Sequence, residues 1–142
     1  MAIYSLAQRT TTFTATTAAC IEWRTPATVR PKVLEISIIQ ATGTACSYGL
    51  GRPQAIGLTP VNVLFQADDP GDVASTMNGS LSWATSPTVP LVFLRRWNSA
   101  ATIGVGIVWT FPRGLVIPIS SSLVVWIITT TVACDINCVI DE

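Results

Sequence analysis

Side chains able to do chemistry are scarce in this chain, and their types narrow what is open to it. None of the 142 residues is histidine, which removes the commonest general base, the triads built on it and most zinc sites. The one carboxylate cluster is Asp68, Asp69 and Asp72 in the run DDPGD. Oxygen ligands in a turn can hold calcium, but this spacing fits no calcium loop and lacks a following bidentate Glu, so a solvated turn is the reading. Cys20, Cys46, Cys134 and Cys138 offer no C-x2-C pair of the kind a zinc site wants. Free cysteine is among the most buried residue types, and core packing is expected of them. Gly49, Gly51 and Gly57 in YGLGRPQAIG superficially resemble a phosphate cradle, without its glycine spacing or the helix that must follow.

Arg95 and Arg96, beside Trp97, are the only basic pair with an aromatic neighbour. In a strand they point to opposite faces, so one is expected to meet a counter-charge, with Glu22 and Glu35 as candidates. The same two glutamates are the one within-sheet carboxylate pair that a β-sandwich glycosidase could use, and pairing with arginine is the preferred role for them. No catalytic residue, metal ligand or cofactor site is expected.

The composition points to contact rather than catalysis. Hydrophobic residues make up 49% of the chain and charged residues 11%, against about 25% charged in ordinary soluble domains. Something other than water is therefore expected to cover part of the surface. Eight basic and eight acidic residues cancel, and no segment gathers Lys or Arg as phosphate tracking requires, so neither nucleic acid nor membrane is an expected partner. The apolar run Leu123 to Cys134 is too short for the roughly 18 to 20 residues of a membrane helix. The N-terminus carries no signal-peptide pattern, and folding in a cytoplasm is expected.

The elements that must position these residues are strands. Val, Ile, Thr and Trp crowd Val105 to Phe111, Leu115 to Ile119, Leu123 to Thr130 and Ala133 to Ile140, as suits a pleated sheet. Reversals are predicted at Pro112 to Gly114 and at Pro118 to Ser122. Upstream, strands are predicted at Lys32 to Gln40, Val61 to Ala67, Thr76 to Trp83 and Leu91 to Trp97, with a long irregular stretch over Ala41 to Thr59. Within Lys32 to Gln40, Leu34, Ile36 and Ile38 are read onto one face, Glu35 and Ser37 onto the other. In the last strand the period of two sets Cys134, Ile136, Cys138 and Ile140 against Asp135, Asn137 and Asp141. Eight to ten short strands in one domain, residues 1–142, give an all-β antiparallel sandwich, with residues 1–18 as an N-terminal arm or edge strand.

One strand breaks the usual alternation. Leu123, Val125 and Ile127 fill one face of it and Val124, Trp126 and Ile128 the other, and Val105, Ile107 and Trp109 opposite Val108 repeat the pattern. Both faces must be covered, either by another subunit or by a loop, for which Ala41 to Thr59 could serve.

The segment YSLAQRTT from Tyr4, the stretch SYGLGRP from Ser47 to Pro53, and WTFPRGLVIPISSSLVVWIITT from Trp109 to Thr130 together resemble the small jelly-roll proteins of tailed-phage virions. Among these the chain is most similar to capsid decoration, or cement, proteins. The resemblance implies a homotrimer on the outer face of an icosahedral shell, bound to the major capsid protein in the virion and stabilising the assembled state by mass action. Trimer packing is then expected from Trp109, Val124, Trp126 and Ile128. Capsid contact is expected from Ile3, Tyr4, Leu6 and Arg9 and from Tyr48 and Arg52. A receptor-binding module of a tail or fibre tip is the alternative with the same architecture.

Overall fold

The computed structural model describes residues 2–10 and 17–142. Eleven strands are found there: β1 (Ile3–Arg9), β2 (Ala18–Arg24), β3 (Lys32–Gln40), β4 (Ser47–Gly51), β5 (Leu58–Leu64), β6 (Gln66–Ala67), β7 (Asn78–Thr85), β8 (Arg95–Asn98), β9 (Gly106–Val116), β10 (Ser122–Ile127) and β11 (Cys134–Asp141). They form a five-stranded sheet A in the order β6-β1-β11-β3-β9 and a six-stranded sheet B in the order β5-β7-β2-β10-β4-β8. All the pairings are antiparallel. The two sheets pack face to face as an all-β sandwich. No helix among the described residues is long and apolar enough to cross a membrane.

The order follows a nesting rule. β1 pairs with β11, β2 with β10, β3 with β9 and β4 with β8, so the chain behaves as one long antiparallel hairpin folded over on itself. Successive strands of that hairpin alternate between the sheets, and β5 to β7 are an insertion at its tip. Such folding places β2 and β10 in the middle of sheet B, where both of their faces need cover.

Between the sheets lies a single large core. Ile21, Trp23, Leu50, Leu123, Val125 and Ile127 from sheet B meet Val33, Ile36, Ile38, Ile136 and Ile140 from sheet A, all at most 1% exposed. Each such side chain contributes about 1.5–3 kcal/mol relative to exposure. The period of two in β11 is observed, with Cys134, Ile136, Cys138 and Ile140 inside. Bulges adjust it elsewhere. Opposite Val125 and Trp126, β2 offers Ile21 and Ala19, so Cys20 is the extra residue and it turns inward beside Ile21. In β3 the register passes from Val33 to Glu35, which brings Val33 rather than Leu34 onto the core face with Ile36 and Ile38.

Several predicted boundaries are corrected. The chain does not reverse at Pro112 to Gly114, because β9 runs through it as one edge strand. There the register skips from Thr110 to Leu115 opposite β3. Pro112 falls among the skipped residues of an edge strand, where it has no ladder bond to lose, and Gly114 takes a positive φ of 71°. The stretch read as irregular, Ala41 to Thr59, contains β4 and the start of β5. Leu91 to Leu94 precede β8 rather than forming part of it. The N-terminal residues form a strand bordered by β11 and, at Tyr4 and Ser5, by β6; of the arm proposed over residues 1–18, residue 1 and residues 11–16 lie outside the described residues.

Candidate functional site

On the outer face of sheet B, β10 presents Val124 and Trp126, and β2 presents Ala19. Beside them, β4 carries glycine at positions 49 and 51, its side chains Tyr48 and Leu50 being turned into the core. A Cβ on Gly49 would stand 2.5 Å from the Phe93 ring, and one on Gly51 2.6 Å from Pro90. The missing side chains let Pro90 and Phe93, and with them the segment 86–94, come down onto the backbone of the sheet. This layer is pinned by bonds from Gln54 N to Thr88 O (3.1 Å), from Thr88 N to Ala55 O (2.9 Å) and from Leu94 N to Leu50 O (2.7 Å). Trp83, Phe93 and Ile128 complete the cover, and Trp126 is left 2% exposed. The glycines that superficially resembled a phosphate cradle thus make room for a lid of the chain's own loops.

Where the lid ends, a carboxylate is buried. Glu22 is fully enclosed, and it accepts hydrogen bonds from the Trp83 indole (2.8 Å), the Ser122 hydroxyl (2.6 Å) and the Gly57 amide (3.2 Å). Three donors supply what burial of a charge requires. Its nearest cation is Arg24, at 3.9 Å. Glu22 and Arg24 share a face because they stand two apart on one strand, a relation already present in the run EWR. Arg95 and Arg96 do not reach Glu22 or Glu35. They lie exposed, with their guanidinium groups 5.7 Å from the ring centres of Phe111 and Phe93 respectively, a cation–π arrangement. Glu22 in β2 and Glu35 in β3 stand on different sheets.

Beyond Arg24 the outer face opens into a cleft of about 340 Å³. Its polar lining is Arg24, Asn62, Asn78, Ser120 and Ser121, and Pro26, Ile56 and Pro60 form its apolar walls. Arg24 is the register partner of Asn78 on one side and of Ser122 on the other. No spacing in the chain groups these residues, since they come from four separate segments.

The residues expected at interfaces divide by exposure. Val124 and Trp126 are already covered within the chain, and Trp109 faces the core while Val108 beside it is exposed. The need for a partner that motivated assigning them to trimer packing is therefore met by residues 86–94; Ile128 is half-buried against the same cluster. Among the residues expected at the capsid, Tyr4, Leu6 and Tyr48 are core residues. The Tyr4 hydroxyl donates to Val73 O at 2.9 Å, and Tyr48 stacks on Trp97 at 5.4 Å. Ile3 is half-buried. Arg9 and Arg52 remain at the surface, the first paired with Asp135 and the second donating to Val116 O at 3.1 Å.

All four cysteines are buried and free. Cys134 sits below its ordinary thiol value because Cys20 and Thr10 hydrogen-bond to it, while burial pushes Cys20 and Cys138 well up. Asp69 Oδ1 accepts from Gly71 N at 2.9 Å and Asp68 Oδ1 from the Ser5 hydroxyl at 2.7 Å, so two carboxylates of the DDPGD run serve their own turn and the adjacent strand. In comparisons with known proteins, no family model, no curated protein and no solved structure matches the chain.

Proposed function

We propose that the chain is a structural protein of a virion, a decoration protein that binds the outer face of an assembled capsid as a homotrimer and holds it together. The nested strand pairs support the jelly-roll reading of its sandwich. The observation that carries the proposal is where apolar side chains remain exposed after the chain has covered its own sheet. Leu58, Val61 and Leu64 stand exposed along the edge strand β5, and Leu91 and Val92 stand 88% and 79% exposed on the lid. Edge strands of soluble proteins are shielded by charge, proline or a bulge; β5 carries no charge, and with Pro60 and a bulge at Val61 and Asn62 it still leaves these three side chains in solvent. These residues take over the contact role first expected of Val124 and Trp126: β5 for the second copy, and the lid for the shell.

Many copies on one shell multiply contacts that are weak singly, and binding only the assembled state stabilises it. Light scattering on the purified protein, then sedimentation with shells lacking it, tests the reading. A trimer that co-sediments is the expected result; a monomer left in the supernatant would overturn it.

A further inference from the structure

The cleft beside Arg24 has the features of a built site rather than a surface dent. Its floor is sheet: Arg24, Asn78 and Asn62 come from the neighbouring strands β2, β7 and β5. One wall is held by a tight set of bonds. The Thr25 hydroxyl donates to Pro118 O at 2.5 Å and accepts from Ser121 N at 3.1 Å, Thr25 N donates to Ser121 O at 3.0 Å, and Ser120 N donates to Pro26 O at 3.1 Å. They keep Ser120 at a φ of +50°, and on the other side Thr59, just before Pro60, has a φ of +49°. Left-handed conformations are costly for residues other than glycine and gather at binding sites, and here two of them flank one cleft.

The lining also selects a ligand chemistry. Among the described residues the Arg24 guanidinium donates no hydrogen bond, although its side chain is only 20% exposed. Glu22, the nearest acid, accepts from Trp83, Ser122 and Gly57 and lies 3.9 Å from Arg24, so it offsets part of the Arg24 charge without taking a hydrogen bond from it. Asn62 accepts from the Ser80 hydroxyl through Oδ1 at 3.2 Å, which leaves its amide N–H groups to donate. Donors therefore predominate. One cation suits one negative charge, and Glu22 at 3.9 Å disfavours a dianion. Amide and hydroxyl groups suit a polyhydroxylated body, and Pro26, Ile56 and Pro60 suit the C–H face of a ring. A volume of about 340 Å³ is at the lower end of small-ligand sites and accommodates a single sugar residue.

We propose that this cleft binds a carboxylated monosaccharide, such as a uronic acid residue of a polysaccharide, with its carboxylate on Arg24 and its hydroxyls on Asn62, Asn78 and Ser120. The cleft is lined by one chain, with Pro60 and Asn62 on β5, the strand proposed above to meet the second copy. The experiment is a titration of the full chain, followed by amide NMR, with methyl glucuronide, methyl glucoside, acetate and inorganic phosphate. Saturable binding of the glucuronide is expected, with the glucoside about tenfold weaker or more for want of the charge-assisted bond and acetate weaker still. Arg24→Gln should level the two glycosides. Because that change lies beside a buried carboxylate, Asn62→Ala and Asn78→Ala serve as further variants, the amide spectrum reporting that each keeps the fold, and each should weaken the glucuronide several-fold. Phosphate binding as tightly as the glucuronide, no saturable binding, or asparagine variants that bind like the parent would each overturn the proposal.

Discussion

On the outside of β11, Asp135 and Asn137 face the surface, where Arg9 donates two 2.7 Å hydrogen bonds to Asp135 and Asn137 donates to the Ser37 hydroxyl at 2.7 Å. On the outside of β10, Val124 and Trp126 lie beneath Phe93 and its segment. Along β11 sheet A thus finishes its outer face with polar side chains that bond one another, leaving Ile39 and Val108 exposed beside them, and sheet B finishes its own with a second layer of chain. The difference is one of cost. A polar face needs only alternation in the strand, whereas an apolar face needs a lid, glycines beneath the lid, and hydrogen bonds to hold it. It also leaves the lid's own outer side to be dealt with, and there Leu91 and Val92 stand in solvent.

Emptying the space under the lid should cost the fold most. Trp126→Ala should destabilise the chain by about 3–5 kcal/mol, the usual range for a buried large aromatic, read as a drop in the urea midpoint. Val108→Ala, on the exposed side of β9, should stay within about 0.5 kcal/mol. If Trp126→Ala were as mild as Val108→Ala, the lid would not be closed over sheet B, and the subunit-interface role first assigned to Trp126 would return.

A second variant tests the lid from below. Gly49→Ala forces a methyl to within 2.5 Å of the Phe93 ring, and overpacking of that kind costs about 1–3 kcal/mol. Both residues of the contact have ordinary backbone, so the loss should be recovered in part by Phe93→Leu in the same chain, which a double-mutant cycle would register. Additive effects would mean that Phe93 does not rest on Gly49.

How much of this could be read in advance follows the same division. The face assignments in β11 and most of those in β3 were legible because a period of two states them directly in the residues. The doubly apolar strand Leu123 to Ile128 was legible as a problem, and both solutions to it were open. What chose between them, the fit of Phe93 and Pro90 on Gly49 and Gly51, joins segments some 40 residues apart and leaves no periodic trace. The binding cleft was invisible for a similar reason: Arg24, Asn62, Asn78 and Ser120 become neighbours only through strand order. The bulge in β3 explains why Val33 stands on the core face in place of Leu34, since one inserted residue shifts the side chains beyond it to the other face.

The uncovered edge allows a change that should leave the fold alone. Val61 is 65% exposed on β5, so Val61→Lys should alter stability by no more than about 0.5 kcal/mol while placing a charge where a second copy would pair. Light scattering should then show the assembly reduced to monomer. An unchanged mass would remove β5 from the interface.

The smallest effect belongs to the polar sheet. Asp135 is held below the usual carboxylate range chiefly because Arg9 hydrogen-bonds to it, and the same bond raises Arg9. A carboxyl lowered by folding favours the native state when ionised. Its contribution is present above the ordinary carboxylate range and is lost as pH falls through the lowered value. Both side chains are substantially exposed, at 67% and 35%, so salt should screen the pair. Asp135→Asn should therefore lower the thermal midpoint slightly at neutral pH and low salt. The gap to the parent should narrow in strong acid, where Asp135 is protonated, and in high salt. A gap that persisted under both conditions would show that Asp135 acts through packing in the sheet rather than through its charge.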